Sequence, residues 1–332
     1  MKEESSCTIV TITDKNFVLA VFVLVLSLKY HKVNSKIKIL GIDLSEADIK
    51  LLTQFDNVEV VKSMIKNPSD RTSLRAIANI CKREAILSAK PDNSDFVALL
   101  DGDCIVTGDI SPYLTPSEPG LFLRIRSTEE NNMIFQSRYQ AEDKFGTIPL
   151  RVLEKWQKDV NGNPESNLVN TVLSGNLIIH KNYFGFVDHW GDFMETVLPY
   201  HQSTFDHVAY EMMGDFTLSA MLAFAKDAPP IKEMMLNKDV NAYVAHLGPK
   251  PKFWELWSKN KLKYFQQILK ILDWARKSNV TLPVLPWTLQ RKYMLKIYVY
   301  AYLYQFYFNL KKFIRPIYNV ISPNFKNRKH KY

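Results

Sequence analysis

Two carboxylates at the end of an apolar stretch are the sharpest chemical signal in this chain of 332 residues. Asp101 and Asp103 follow the run F-V-A-L-L and are separated by Gly102. In open α/β sheets, ligands bind beyond the carboxyl ends of the strands, so this arrangement predicts a binding site. Carboxylate oxygens suit Mg²⁺ or Mn²⁺, whose remaining positions can hold a diphosphate. Gly102 leaves room for a phosphate or ribose beside the backbone. The alternative is a turn in which the acids only cap a loop.

A second signal lies in the segment A-H-L-G-P-K-P-K-F-W, where His246 stands 143 residues after Asp103. The imidazole suits Mn²⁺ better than Mg²⁺. Gly248 lets the chain turn close to a ligand, and Lys250 and Lys252 can each place a charge on a phosphate. A lone histidine beside a glycine is more often structural. Together with the two acids, however, the segment predicts a site for a metal and a diphosphate.

Four separated segments resemble the family 8 retaining glycosyltransferases of the GT-A type, which include bacterial lipooligosaccharide α-galactosyltransferases and glycogenin. The segments are V-T-I-T-D-K-N-F with L-V-L-S-L-K, L-L-D-G-D-C-I-V-T-G-D-I, M-G-D-F-T-L-S and H-L-G-P-K-P-K-F-W. They span about residues 7–255 in the family's order. The resemblance implies a Rossmann-like GT-A fold and a Mn²⁺-dependent (or Mg²⁺-dependent) transfer of a hexose from a UDP-sugar to a saccharide acceptor.

The resemblance also implies roles for single positions. Asp101, Asp103 and His246 would hold the metal, and Asp215 would bind hydroxyls of the donor sugar beside the two catalytic acids. The other donor contacts would be Ile12, Thr13, Asp14 and Asn16 at the uridine, Arg83 at a phosphate or the sugar, Ser174 and Gly175 at the sugar, and Gly248 with Lys252 or Lys250 at the diphosphate. Lys82 takes the place of Arg83 if the register differs by one residue.

Two positions and one spacing depart from the family's pattern. Phe216 stands where the family has Gln, Leu173 stands where it has Asn, and the spacing from His246 to Gly248 is one residue shorter. No pair of carboxylates is placed for a double displacement, so we expect front-face retention in which the phosphate helps to deprotonate the acceptor. A divalent ion and a lysine at the β-phosphate would stabilise the charge that develops on the departing UDP.

Strands and helices that could position these residues alternate along the first half of the chain. Strands are predicted at 7–13, 36–42, 58–61 and 96–100, and helices at 17–31, 46–55 and 73–90. This order predicts an α/β fold with a mostly parallel sheet and helices on both faces. We expect 127–167 to be irregular, 169–180 to contain a strand, and 184–198 and 206–225 to be helical.

The net charge of +9 averages two unlike regions. Residues 1–255, the predicted catalytic domain, carry 27 basic and 33 acidic side chains, whereas residues 256–332 carry 16 and one. The first region gives no reason to expect nucleic acid as a partner. Within the second, 289–313 combines tyrosines with flanking lysines and lacks Gly and Pro, which favours a helix at an anionic membrane surface. An ordinary helical subdomain packed on the catalytic domain is the main alternative, and nucleic-acid binding is less favoured.

The sequence also bears on the compartment. The longest apolar run, residues 17–28, is shorter than the ~20 residues that span a bilayer, and the first residues do not form a signal peptide. Three cysteines, an odd and sparse set, fit a reducing compartment. We therefore expect a cytoplasmic protein, peripheral on the inner face of the plasma membrane, that acts on a lipid-linked saccharide or glycolipid acceptor.

Two other functions fit parts of the sequence. F-V-A-L-L-D-G-D also resembles the first motif of haloacid-dehalogenase-type phosphatases, although here it follows three α/β units. A dead transferase domain could instead serve as a non-catalytic protein that binds membrane or nucleic acid. Release of UDP rather than phosphate separates the transferase from the phosphatase, and UDP binding without turnover would favour the non-catalytic protein.

Overall fold

The structure is a computed structural model that describes residues 6–65, 71–139, 148–166, 168–202, 207–234, 243–248 and 251–321. Its strands are β1 (Cys7–Asp14), β2 (Lys36–Ile42), β3 (Val58–Lys62), β4 (Phe96–Leu100), β5 (Cys104–Val106), β6 (Leu121–Ile125), β7 (Val172–His180), β8 (Ile231–Glu233) and β9 (Val244–His246). Its helices are α1 (Val18–Tyr30), α2 (Glu46–Leu52), α3 (Arg71–Leu87), α4 (Thr128–Tyr139), α5 (Leu150–Val160), α6 (Phe184–Gln202), α7 (Met213–Phe224), α8 (Leu262–Lys277) and α9 (Met294–Ile321).

Seven strands form one mixed sheet in the order β3-β2-β1-β4-β7-β6-β8. β1 is parallel to β2 and β4, and β2 is parallel to β3. β7 runs antiparallel to β4 and β6, and β8 runs parallel to β6. The short strands β5 and β9 pair antiparallel outside this sheet. Because β1 to β4 are parallel, their carboxyl ends lie at one edge, where the acids predicted for the site follow β4.

Helices cover both faces of this sheet, because successive residues of a strand point to opposite faces. On β1, Ile9 packs into the core that contains α1 and α8, whereas Val10 packs into the core that contains α3, α6 and α7. On β4, Ala98 and Leu99 divide in the same way. α1 is buried nearly all round because it contacts β1, β5 and α8. The predicted α/β class, with a mostly parallel sheet and helices on both faces, is confirmed.

Part of the chain that we expected to be irregular, 127–167, is helical instead. It contains α4 and α5, and α5 buries Val152 and Trp156, which lie four residues apart on one helix face. The other side chains of this helix are largely charged, and for that reason the segment was expected to be a polar loop. The helix expected over 206–225 is also interrupted, since a 3-10 helix, His207–Tyr210, precedes α7.

The first part of the basic tail belongs to the same core as β1 and α1. Trp257 is buried there, together with Phe265, Ile268 and Leu272 on the inward face of α8. Leu289 and Ile297 extend this core towards the start of α9. Position 255, the expected domain boundary, therefore does not separate two hydrophobic cores.

α9 is the helix expected in the tail, and it leaves the core along its length. Ile297 and Ala301, in its first two turns, are buried. Farther on, large apolar side chains are exposed at Leu303, Phe306, Tyr307, Phe308, Leu310, Phe313 and Ile314. Among the residues that the structure describes, no helix is both long enough and apolar enough to cross a membrane. The part of α9 after Ala301 thus exposes an apolar surface that no other described residue of the chain covers.

Candidate active site

The two signals found in the sequence meet through the β5–β9 ribbon. Asp101 follows β4 and Asp103 precedes β5, while His246 is the last residue of β9. Cys104 pairs with His246 across the ribbon, and the N–H of Leu247 donates to the carbonyl of Asp103 over 2.9 Å. Backbone pairing, rather than side-chain contact alone, therefore holds the imidazole beside the acids.

Asp101, Asp103 and His246 each offer one ligand atom, and these atoms all lie within 4.8 Å of one another. The Nε2 atom of His246 is 3.0 Å from an oxygen of Asp103 and 3.8 Å from an oxygen of Asp101. Asp103 is buried, whereas Asp101 and His246 remain partly exposed, so the cluster opens to solvent. Two carboxylates and an imidazole form a donor set that fits Mn²⁺.

Ion pairing sets the protonation of this cluster. Burial alone would raise the pKa of Asp103, but the hydrogen bond from His246 and the charge of Lys252 outweigh it and hold that pKa well below its usual range. Burial raises the pKa of Asp101, although Lys82 and His246 oppose the shift. Burial lowers the pKa of His246, yet its hydrogen bond to Asp103 and the charge of Asp101 raise it overall. The Asp103 carboxylate is therefore ionised at neutral pH and is ready to bind a cation.

β7 supports Asp101 from the neighbouring position in the sheet. The side-chain oxygen of Asn176 accepts from the backbone N–H of Asp101 over 3.0 Å and from the Cys104 thiol over 3.4 Å. A Cβ atom at Gly175 would lie 2.3 Å from a carboxylate oxygen of Asp101, so a larger residue there would displace that carboxylate. Gly175 thus lies at the site as expected, whereas Asn176 was not singled out from the sequence.

Asp215 and Ser174 form a polar floor behind the cluster. One oxygen of Asp215 accepts from both the backbone N–H and the hydroxyl of Ser174, each over 2.8 Å. The other oxygen contacts the guanidinium of Arg126, which is itself buried and donates to Thr171. Both oxygens are held, which fixes the position of the Asp215 carboxylate. Arg126 is a residue that sequence reasoning missed.

Arg83 does not reach this floor, which corrects the sequence prediction. Its guanidinium pairs with Asp192 and Glu195 on α6. Lys82, the alternative, donates to the hydroxyl of Ser174 over 2.9 Å and to its carbonyl over 3.1 Å. Adjacent residues of an α-helix point about 100° apart, so a register change of one residue moves the side chain to another face.

The carboxyl end of β1 lies beside the acids, as expected for the residues assigned to uridine. Asp14 accepts from the backbone N–H groups of Asn16 and Phe17, over 2.7 and 3.2 Å, and so caps the turn into α1. Ile12 and Thr13 precede it on the strand, where the hydroxyl of Thr13 donates to the carbonyl of Asp14. These four predicted residues therefore form one continuous edge at the end of β1.

Gly102 serves a different purpose from the one predicted. A Cβ atom there would lie 2.7 Å from a methyl group of Val21 and 2.9 Å from the carbonyl oxygen of Ile12. The space beside Gly102 is therefore filled by β1 and α1, and it is not left open for a phosphate or ribose. Glycine is required at this position because the D-G-D turn packs directly on the end of β1.

The segment after His246 brings a second cation to the cluster. The ammonium of Lys252 contacts Asp103 and lies 5.0 Å from the centre of the Phe17 ring. A Cβ atom at Gly248 would lie 2.5 Å from two atoms of the His246 ring, so this glycine packs directly on the imidazole. Lys250, the alternative diphosphate ligand, lies outside the described residues.

Phe216, at the position where the resembled family has Gln, lies in the hydrophobic core. Its ring is buried and stacks on Phe135 at 5.5 Å, with Trp156 5.9 Å away. The residue belongs to the core that contains α7, so it presents no amide or nucleophile to the floor.

No protein-family model matches the sequence, and no curated protein matches it. Among solved structures, the bifunctional glycosyltransferase WbbM aligns over 90% of this chain with 14% identity and a TM-score of 0.50, and the alignment covers 52% of WbbM. The galactosyltransferase LgtC, solved with donor and acceptor sugar analogs, aligns over 83% of this chain and 98% of its own, with 16% identity and a TM-score of 0.48. For the glycosyltransferase GlyE of Streptococcus pneumoniae TIGR4 the coverage is 84% and 65%, with 14% identity and a TM-score of 0.46.

The likeness to WbbM bears on the fold. This chain spans about half the length of WbbM, and nine-tenths of it takes part in the alignment. The seven-stranded mixed sheet with helices on both faces is therefore the GT-A fold of glycosyltransferases, as the sequence resemblance predicted.

Proposed function

We propose that this chain is a metal-dependent, retaining glycosyltransferase that moves a hexose from a UDP-sugar to a saccharide acceptor. The observation that carries this proposal is the meeting of Asp101, Asp103 and His246 at the carboxyl edge of the sheet in a GT-A fold. In this class of sheet that edge is where ligands bind. Separate parts of the chain supply the three side chains, and an accidental acidic turn would not require the histidine.

Asp101, Asp103 and His246 would hold Mn²⁺. They could also hold Mg²⁺, although the imidazole nitrogen of His246 suits Mg²⁺ less well. When bound, the ion would neutralise the donor diphosphate and the charge that develops as UDP departs. The chain prepares this site in two ways. The lowered pKa of Asp103 keeps its carboxylate ionised, and Asn176 fixes the backbone at Asp101.

Lys252 would bind the diphosphate once the donor enters. Its ammonium is restricted by its contact with Asp103 and by the faces of Phe17 and Trp254, at 5.0 and 5.9 Å. A fixed cation at the β-phosphate stabilises the leaving group most where negative charge accumulates, in the transition state. Lys252 would therefore lower the barrier to departure of UDP rather than simply tighten binding of the donor.

The floor of Ser174 and Asp215 would receive the donor sugar. The Asp215 oxygen that contacts Arg126 has a second lone pair, which can accept from a sugar hydroxyl while Ser174 holds the other oxygen with two hydrogen bonds. Phe216 offers no nucleophile, which supports front-face retention over a covalent intermediate. In that reaction the acceptor hydroxyl attacks from the side on which UDP leaves, and its proton passes to the departing phosphate.

The tail supports a lipid-linked acceptor. Residues 256–332 carry 16 basic side chains and one acid, and the distal part of α9 exposes seven large apolar side chains. Basic charge combined with apolar and aromatic side chains is typical of segments that lie in the interface of anionic membranes. We therefore place the protein in the cytoplasm, peripheral on the inner face of the plasma membrane, with a glycolipid as the acceptor.

A donor panel tests the proposed function. The purified chain is incubated with UDP-glucose, UDP-galactose, UDP-N-acetyl sugars and GDP-mannose, with Mn²⁺ or with EDTA, and released UDP and inorganic phosphate are both measured. We expect UDP release from one or more UDP-sugars with Mn²⁺ and none with EDTA. Phosphate released without UDP would point to the phosphatase alternative, and UDP binding without turnover of any donor would favour a non-catalytic protein.

A further inference from the structure

Lys261 hydrogen-bonds to three described carbonyl groups of the segment that follows His246. Its ammonium donates to the carbonyl oxygens of Leu247 and Gly248, each over 2.7 Å, and to that of Pro251 over 3.2 Å. An ammonium has three N–H groups and no acceptor, so carbonyl oxygens are suitable partners for it. These carbonyls belong to residues 247–248 and 251–252, and we name these two described segments together the loop after His246.

The support for Lys261 is rigid. It ends the 3-10 helix Lys259–Lys261, and α8 follows directly. Leu262 and Phe265, in the first turn of α8, are buried in the core with β1 and α1. Burial, together with the charge of Lys252, lowers the pKa of Lys261 to about 8, although the charge of Asp103 opposes the shift. An ammonium that gives up part of its hydration in this way is held by the loop carbonyls instead of by water.

The direction of these carbonyls determines the direction of the loop amides. In a trans peptide the N–H points away from the preceding C=O. The N–H groups of Gly248 and Lys252, which follow two of the three carbonyls, therefore face away from the Lys261 ammonium. Backbone N–H groups that share one side of a loop form an anion-binding surface.

We propose that Lys261 is a positioning residue that holds the loop after His246 in the form that binds the donor diphosphate. The inference rests on the proposed function, because the diphosphate is part of the donor assigned there. Lys261 itself stays beneath the loop, and it acts through Gly248, which packs on the metal-binding imidazole, and through Lys252, which contacts Asp103. The tail region thereby supplies a residue to the catalytic site.

Two variants and a matched control test this role. Lys261→Met removes the ammonium and keeps most of the stem. Lys261→Arg keeps the charge, but the N–H groups of a guanidinium lie in one plane. They cannot all donate to the three carbonyls that surround the compact ammonium of Lys261. Lys263→Met is the control, because Lys263 is exposed on the first turn of α8 and its ammonium lies 4.8 Å from the Tyr264 ring, away from the loop. Each variant is compared with the wild type by titration of UDP in the presence of Mn²⁺ and by hydrogen exchange of the peptides covering 246–254.

The loss of three hydrogen bonds to a charged group should weaken UDP binding by about tenfold or more in Lys261→Met. We expect faster exchange in the loop peptides of this variant, a smaller loss of affinity in Lys261→Arg, and no change in Lys263→Met. Wild-type UDP affinity in both Lys261 variants would overturn the inference. If Lys261→Met does not fold, Lys261→Arg decides alone. A wild type that binds no UDP would contradict the proposed function instead, while the exchange of the loop peptides would still report whether Lys261 holds the loop.

Discussion

Gly248 packs closely against the imidazole of His246. In Gly248→Ala the new methyl group would meet the imidazole at 2.5 Å, and the ring, as the far end of a side chain, would move before the backbone does. We predict that affinity for Mn²⁺ falls by about tenfold or more, since overpacking of this kind typically costs about 1–3 kcal/mol. Free Mn²⁺ measured by electron paramagnetic resonance during titration checks this.

Gly185→Ala is the matched control, because nothing lies within 4 Å of a Cβ atom at that position on α6. It should leave the affinity for Mn²⁺ unchanged, and alanine should stabilise the helix slightly. If Gly248→Ala binds Mn²⁺ as tightly as this control does, the close packing of Gly248 on the imidazole does not position the ligand.

Lys82 and Arg83 are neighbours in sequence but have different surroundings. Lys82→Met removes a buried donor to Ser174 and the charge that opposes the raised pKa of Asp101. Because hydrogen bonds to charged groups are worth about 1.5–3 kcal/mol, we predict a fall of about 10- to 100-fold in kcat/KM for the donor. Arg83→Met removes ion pairs to exposed partners on α6, which are worth about 0–1 kcal/mol.

Steady-state kinetics of both variants with the best donor from the panel check this pair. Arg83→Met should stay within about twofold of the wild type, since its lost ion pairs lie on the surface. A loss in Arg83→Met as large as that in Lys82→Met would contradict the correction and favour the original assignment. Circular dichroism confirms that the two variants are folded.

Among single residues, the meeting of Asp101, Asp103 and His246 could be predicted from the sequence, but the residues that support them could not. Asp101, Asp103 and His246 stand out because their types and neighbours in sequence are those of a metal site. Asn176 and Arg126 do not, since each acts through pairing between strands that are distant in sequence. No local pattern indicates that β7 lies beside β4.

At the scale of whole elements, buried segments were the ones that sequence predicted well. α1 and β4 are nearly continuous apolar runs, β1 is rich in β-branched residues, and both faces of β4 are covered in the fold. The predicted start of α2 is also confirmed, because Ser45 and Asp48 form a capping box. α4 and α5 were missed because their polar residues outnumber the few that they bury. In such helices the tertiary contacts, here Val152 and Trp156 in the core, supply most of the stability.

α9 can be tested separately from the catalytic domain. Phe306 and Phe313 are 67% and 70% exposed, so replacing both with serine should leave the fold intact. We predict that binding to anionic vesicles weakens by about tenfold or more, because each aromatic side chain withdrawn from an apolar surface gives up about 1.5–3 kcal/mol. Co-sedimentation with vesicles of phosphatidylglycerol and phosphatidylcholine measures this.

Val284→Ser provides the control for α9, since Val284 is 98% exposed and lies outside that helix. It should bind vesicles as the wild type does. Unchanged binding in the Phe306→Ser, Phe313→Ser double variant would contradict the membrane role of α9. It would then favour an ordinary helical segment whose lysines are simply solvated.

At the scale of the whole molecule, charge and packing divide the chain at different places. The sign of the charge changes near residue 255, but the core shared by β1 and α1 continues through Trp257 and α8 to Ala301. The amino-acid composition shows the change in charge near residue 255, but it cannot show that the core continues beyond that residue. The basic tail is therefore in part a structural layer of the domain, and among its described residues the part of α9 after Ala301 lies outside this core.

Truncation checks this division. A chain of residues 1–255 loses at least six buried side chains, Trp257, Leu262, Phe265, Ile268, Leu269 and Leu272. At about 2 kcal/mol each their loss is comparable to the whole stability of a typical domain, about 5–15 kcal/mol, so we predict that 1–255 does not unfold cooperatively. A chain of residues 1–304 keeps Ile297 and Ala301 and should retain a Tm close to that of the full chain. Calorimetry of both decides, and a cooperative transition in 1–255 would restore the boundary at 255.

The most direct test of the central claim, a metal-dependent site for a nucleotide diphosphate, is a calorimetric titration of UDP into the wild-type chain, with Mn²⁺ and then with EDTA. We predict binding at a single site with Mn²⁺, no detectable binding with EDTA, and loss of the Mn²⁺-dependent binding in Asp103→Asn, whose carboxylate lies between His246 and Lys252. UDP affinity that is equal with Mn²⁺ and with EDTA, or equal in Asp103→Asn and the wild type, would contradict it.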